Sequence, residues 1–299
     1  CSVCSKPSNK SSHSRWGHRM ALTDTHIAER FPRTEKYNPE WIKANASGGA
    51  NSLWLTEWLA FAMDLQSGMR VLDLGCGCAS SSIFLRREFD VQVWATDLWF
   101  HATGNWKRIQ NADITEGITP IHADARSLPF AAEFFDAIIG VDSFYYFGTD
   151  ALYLNYLAQF VKPGGQIGIA GAGLTREVDG EVPEHLRGWW SQDLWSLQSA
   201  QWWRRHWERT GIVSIELAET MEEGWQLWLE WMHRVAPDNK PEIETLENDH
   251  GQYLGYVRVV GRRQSDVKLE DYCWPDTLRS FPSGEIEKQP LLKETEPRP

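Results

Sequence analysis

The chain has 299 residues, 42% of them hydrophobic, enough to bury one large core with some chain left over as tail. Its formal net charge of −11 and isoelectric point near 5.3 repel phosphate backbones, so nucleic acid is not expected as a partner. No apolar run reaches the roughly 18 residues that would span a bilayer, so no transmembrane segment is expected.

Cys1 to Arg19 is rich in Ser, Lys and His, has no hydrophobic period and reads as a disordered extension upstream of Met20. It lacks the apolar centre of a signal peptide. Cys1 and Cys4 form a CxxC, but no second Cys/His pair of suitable spacing follows closely, so no metal is expected. Five cysteines, two of them in one turn, do not make a disulfide framework, and a reducing cytoplasmic location is the simplest expectation. The 17 tryptophans read chiefly as core, the sharper alternative being that some line a substrate pocket.

Residues 1–40 are expected to be a flexible N-terminal segment. Trp41 and Gly48-Gly49 then lead into an amphipathic helix marked by Leu53, Trp54, Trp58, Phe61, Ala62 and Leu65. Val71 to Leu74 is a short apolar strand ended by Gly75, and Ser80 to Phe89 a helix. A second strand covers Val91 to Thr96, a second helix includes Trp106 to Asn111, and a third strand covers Ile118 to Ala123. Phe135 to Val141 is a strongly apolar fourth strand, followed by a helix over Ala151 to Val161, a turn at Lys162-Pro163-Gly164-Gly165 and a fifth strand, Gln166 to Ala170. The long segment Gly171 to Ser199 carries Trp189, Trp190 and Trp195; with Trp41 it is expected to form a lid over the acceptor. Helix Gln201–Thr210, strand Ile212–Leu217, helix Trp225–Val235 and strand Tyr253–Val260 complete the pattern, and residues 263–299 read as a charged, Pro-rich tail. Strand–helix alternation of this kind implies a doubly wound α/β sheet with helices on both faces.

The first strand ends in Val71-Leu72-Asp73-Leu74-Gly75-Cys76-Gly77. Strand, glycine-rich turn and helix together make a nucleotide-binding arrangement, because glycines permit a tight turn and close approach of backbone to ligand. A carboxylate at Asp73 would repel a pyrophosphate and attract the ammonium and sulfonium of S-adenosylmethionine; the alternative for Asp73 is a cap on the following helix. No third glycine follows Gly75 and Gly77 at the spacing of a dinucleotide fingerprint, since Ser80 stands there. The second strand ends in Ala95-Thr96-Asp97, 24 residues beyond Asp73, near the roughly 20 of a ribose-binding acid. The third ends in His122-Ala123-Asp124-Ala125, where Asp124 can accept from an adenine amino group.

This set, with Leu128-Pro129-Phe130, Phe135-Asp136-Ala137-Ile138-Ile139 and Val161-Lys162-Pro163-Gly164-Gly165, resembles the class I SAM-dependent methyltransferases, specifically their small-molecule "type 11" group, over about Trp41 to Arg262. The resemblance implies a Rossmann-like sheet of seven strands, the last antiparallel, with helical lid insertions, in a domain over residues 41–262. It implies S-adenosyl-L-methionine as cofactor, held by Asp73, Gly75, Cys76, Gly77, Asp97, Leu98, Asp124 and Ala125, and methyl transfer to an acceptor the family does not specify. The acceptor side is expected after the fourth strand, at Asp142, Tyr145 and Tyr146. The signatures of enzymes that methylate DNA amino groups, glutamine amides or cytosine carbon are absent, which points to a small-molecule acceptor. The alternatives are a non-catalytic SAM-binding module and a methyltransferase acting on a lipid or protein.

Overall fold

The computed structural model describes residues 23–47 and 49–269. Cys1, Cys4 and most of the expected tail therefore lie outside the described residues. Seven strands form one sheet: β1 Arg70–Leu74, β2 Gln92–Asp97, β3 Ile118–His122, β4 Phe135–Val141, β5 Val161–Leu174, β6 Val213–Thr220 and β7 Leu254–Arg263. Their order is β3-β2-β1-β4-β5-β7-β6. The pairs from β3 across to β5 are parallel, whereas β7 runs antiparallel to both β5 and β6.

β1 and β4 are central and apolar on both faces, as a covered parallel sheet requires. Along β4 the pleat sends Ala137, Ile139 and Val141 into one layer and Ile138 into the other. The first layer holds α3 Ser52–Ala60, α4 Ser80–Phe89 and α8 Gly224–Val235; the second holds α6 Tyr153–Ala158 and α7 Ala200–Glu208. Asn51 caps α3 by accepting from Leu53 N and Trp54 N at 3.1 and 3.3 Å, and Ser199 caps α7 through Trp202 N at 3.0 Å. α5 Ala102–Asn111 links β2 to β3, and α9 Lys240–Asp249, with Pro241 in its first turn, lies outside the elements expected from the sequence.

Three expectations change. Residues 23–40 are part of the domain: α1 Asp24–Arg30 and the start of α2 Pro39–Ala44 fall there, and Phe31 is buried, stacked on Trp54 at 5.6 Å. The buried carboxylate of Glu57 accepts from Arg33 N, Thr34 N and the Thr34 hydroxyl at 2.7–2.9 Å, tying this segment to α3. The Lys162–Gly165 turn lies within β5, where a register shift loops it out opposite Phe135 and Ala137. The tail begins later than residue 263, since Arg263 is buried in β7 and Val267 and Leu269 pack on the second layer.

The chain runs from β1 through β2 to β3 on one side and then crosses to β4 on the other side of β1. The carboxyl ends of β1 and β4 therefore flank a topological switch point, where open α/β sheets leave a crevice.

Candidate functional site

A cavity of about 350 Å³ occupies that crevice. Gly75 N and Cys76 N both donate to Thr96 O, at 2.8 and 3.1 Å, and pin the turn after β1 against β2. Gly75 and Gly77 have φ of +77° and +53°. A Cβ on Gly75 would strike Ser143, and one on Gly77 would strike Ser47. Conformation and space therefore both call for glycine here.

Asp97, at the end of β2, is 8% exposed and lines the cavity. Three backbone donors fix its carboxylate: Gly77 N at 2.8 Å from Oδ2, and Trp99 N and Phe100 N at 2.7 and 2.8 Å from Oδ1. Each carboxylate oxygen can accept more than one hydrogen bond, so capacity remains for ligand hydroxyls. Leu98, Asp124 and Ala125 line the same end. Asp124 is engaged by Arg126, whose backbone N, Nε and Nη2 donate to it at 2.7–3.0 Å. The Arg126 hydrogen bonds hold the Asp124 carboxyl below its ordinary range. Cys76 is buried in the wall; burial, with the charges of Asp73 and Asp97, pushes its thiol well up, so it stays neutral at pH 7.

Asp73 stands behind the wall, and the expected direct contact is corrected. It is fully buried, and its Oδ2 accepts from the hydroxyls of Ser81 and Ser82 in the first turn of α4 at 2.6 and 2.5 Å. Its Oδ1 has no partner. Burial raises its pKa to about 6, against the two serine hydrogen bonds. The pleat accounts for the placement: Asp73 shares a face with Val71, beneath α4, rather than emerging at the strand end.

Asp142, Tyr145 and Tyr146 line the opposite end of the cavity. Asp142 directly follows β4 with φ +52°, held by Asp142 N to Ala170 O at 2.7 Å. Its Oδ1 accepts from Ala172 N at 3.2 Å and the Tyr145 hydroxyl at 3.4 Å, and Ala50 N also donates to the carboxylate. Burial raises Asp142 to about 6. Burial, with the Asp142 charge, pushes the Tyr145 phenol well up, and the Tyr145 and Tyr146 rings lie 4.5 Å apart. Asp142, Tyr145 and Tyr146 thus form one chain along the wall.

The expected lid is also corrected. Neither Trp41 nor any residue of Gly171–Ser199 lines the cavity. Gly171 to Leu174 completes β5, the part around His185 and Trp189 is strapped to α8 and α9, with Trp189 edge-on to Trp228 at 6.0 Å and His185 Nε2 2.8 Å from buried Asp249, and Gln192–Ser196 packs against the outside of Phe144–Tyr146. The cavity is bounded instead by Ser47, Gly49, Ala50 and Ser52 at the entry to α3. Of the 17 tryptophans, Trp99 alone among the described residues lines it; it is 67% exposed and meets Tyr146 edge-on at 5.1 Å. Its position two residues past the ribose-acid candidate was the available signal.

A family model for a methyltransferase domain matches residues 71–165. Over 171 residues the chain is 23% identical to Methyltransferase GfsG of Streptomyces halstedii, covering 56% of this chain and 62% of that protein. It is 27% identical over 130 residues to 27-O-demethylrifamycin SV methyltransferase of Amycolatopsis mediterranei, covering 43% of this chain and 48% of that one. The chain thus spans about half the length of these curated relatives. Phosphoethanolamine N-methyltransferase 2 of Haemonchus contortus, solved in complex with S-adenosyl-L-methionine, shares the fold with a TM-score of 0.61 at 19% identity, covering 81% of this chain and 57% of that one.

Proposed function

We propose that the chain, whose residues 71–165 match a methyltransferase-domain family model, transfers a methyl group from S-adenosyl-L-methionine to a small-molecule acceptor. One observation carries this reading: a glycine-rich cradle with its ribose-type acid and an Asp–Tyr–Tyr wall face each other across a single cavity.

The residues fit the donor. Asp97, preset by three N–H groups, would accept the ribose hydroxyls, and Leu98, Asp124 and Ala125 would frame the adenine. Gly75 and Gly77 keep the backbone bare where the methionine part would pass. Asp73 places a carboxylate behind that backbone, which favours a cation. When bound, S-adenosylmethionine supplies an electrophilic methyl on a sulfonium. Methyl transfer then needs mainly alignment, and holding two reactants in line supplies much of the rate. Asp142, the Tyr145 hydroxyl and the exposed rings of Tyr146 and Trp99 are the groups placed to orient an acceptor and take its proton.

The test is incubation of the protein with methyl-labelled S-adenosylmethionine and a metabolite extract, followed by identification of the labelled product. A labelled small molecule that disappears with Asp97→Ala is expected. Binding of S-adenosylhomocysteine with no labelled product from any fraction would leave a SAM-binding module and sink the enzyme reading.

A further inference from the structure

We propose that Trp99 and Tyr146 select the acceptor, a planar aromatic hydroxyl compound whose rings rest in the cavity mouth while its hydroxyl reaches Asp142. This rests on the methyl-transfer reading above and names the substrate class it acts on.

Three observations converge on this end of the cavity. The first is where exposed apolar surface lies. Trp99 is the most exposed large hydrophobic side chain among the described residues, at 67%, with Tyr146 at 50% and Leu98 at 46%. All three line the cavity. Large apolar side chains left in water together at the rim of a cavity mark a binding surface.

The second is the form of that surface. The Trp99 ring meets Tyr146 at 5.1 Å with 65° between their planes, and Tyr146 lies 4.5 Å from Tyr145. Two steeply inclined rings make a corner. A flat ligand can stack on one face and meet the edge of the other ring, both favoured arrangements for aromatic pairs. The corner is anchored from two strands: Trp99 N donates to Asp97 Oδ1 at 2.7 Å after β2, and Tyr146 N donates to Ser143 O at 3.2 Å after β4. From the corner Tyr145 leads inwards to a carboxylate. Its hydroxyl donates to Asp142 Oδ1 at 3.4 Å, and both residues are half-buried and line the cavity.

The third is room and charge. The cavity of about 350 Å³ is near the small end of the range for small-molecule sites, roughly 300–1,000 Å³. S-adenosylmethionine, a nucleoside joined to an amino acid, takes most of it. Only the reacting end of an acceptor fits beside the donor, so the acceptor body lies in the mouth, against Trp99 and Tyr146. Arg126, the one Lys or Arg among the described lining residues, is committed to Asp124, so an anionic body finds no counter-ion.

The nucleophile follows from the base beside it. Asp142, raised to about 6 by burial, can take the proton of a phenol, whose pKa is about 10; a saturated alcohol is far too weak an acid. The phenol O–H gives its proton to the Asp142 carboxylate. An oxygen lone pair forms the new O–C bond while the methyl C–S bond breaks, its electron pair staying on sulfur. The products are an aryl methyl ether, neutral S-adenosylhomocysteine and a protonated Asp142, which returns its proton to water.

The labelled product of the extract experiment is to be identified by mass spectrometry and proton NMR. A methyl ether on an aromatic ring is expected. Label on nitrogen, sulfur, carbon or a carboxylate, or on a saturated body, overturns this inference alone, whereas no product from any fraction overturns the methyl-transfer reading with it. Trp99→Ala and Trp99→Phe are then compared with wild type on that acceptor. Trp99 is exposed, so both variants should keep the wild-type melting temperature. Trp99→Ala should raise the acceptor KM roughly three- to ten-fold, the worth of one stacked ring, while the KM for S-adenosylmethionine stays within about two-fold. Trp99→Phe keeps a ring and should recover most of the loss. An unchanged acceptor KM in Trp99→Ala, or an equal rise in the KM for S-adenosylmethionine, overturns the platform.

Discussion

At the scale of single residues, two aspartates in neighbouring strands have opposite fates. Asp97 meets the cavity with its carboxylate held by three backbone donors, so hydrogen bonds to a ribose would need little reorganisation. Asp97→Ala should weaken S-adenosylhomocysteine by about 1.5–3 kcal/mol, the worth of hydrogen bonds to a charged group. Calorimetric titration of the folded variant checks this, and an unchanged affinity removes Asp97 from the donor site. Asp73 is buried beneath α4 and raised to about 6 from 3.8. A carboxyl whose folded pKa exceeds its unfolded one stabilises most when protonated, so its contribution is fully present below pH 3.8 and is lost as pH rises through about 6. Relative to Asp73→Asn, the wild type should therefore gain on the order of 2–3 kcal/mol on acidification across that window. Denaturant unfolding of both proteins at several pH values measures it; parallel curves would mean that Asp73 is not raised.

At the scale of elements, the segment before the first strand separates pattern from packing. α1 is only seven residues long, too short to be stable alone. It is ordered because Ile27 and Phe31 enter the core and Glu57 binds the chain just after them. Phe31→Ala should then destabilise the whole domain by about 3–5 kcal/mol, as for other buried aromatics. A chemical denaturation midpoint shifted without a change in slope would show this; no shift would return the segment to the status of a flexible leader. The strap Thr175–Ser199 is a second such case. Pinned by His185 to Asp249 and by Trp189 to Trp228, it should be cleaved by protease at the same rate with or without S-adenosylhomocysteine, and faster in His185→Ala. Protection by ligand would restore the lid.

At the scale of the whole molecule, the cavity exists because the sheet reverses its winding between β1 and β4, so donor-side and acceptor-side residues come from different halves of the same crevice. Asp142→Asn and Tyr145→Phe probe the acceptor half without changing shape. Both should leave S-adenosylhomocysteine affinity within about two-fold while turnover of the true acceptor falls, by up to roughly 10²–10⁴-fold for loss of a general base. Wild-type turnover in both would make this wall structural.

The sequence alone determined what depends on local order. Alternating strands and helices settled the sheet, and glycines and acids at strand ends picked out Gly75, Gly77, Asp97 and Asp142, because in a parallel sheet every strand end faces the same crevice. Tertiary structure decided what depends on contacts distant along the chain. It turned Asp73 under α4, strapped the chain at His185 to α9 and brought Glu242 and Trp228 behind Gly49. No periodicity encodes a contact between residues 49 and 242: such neighbours are set by how two layers of side chains pack across the sheet, and packing depends on the volumes of every residue in between.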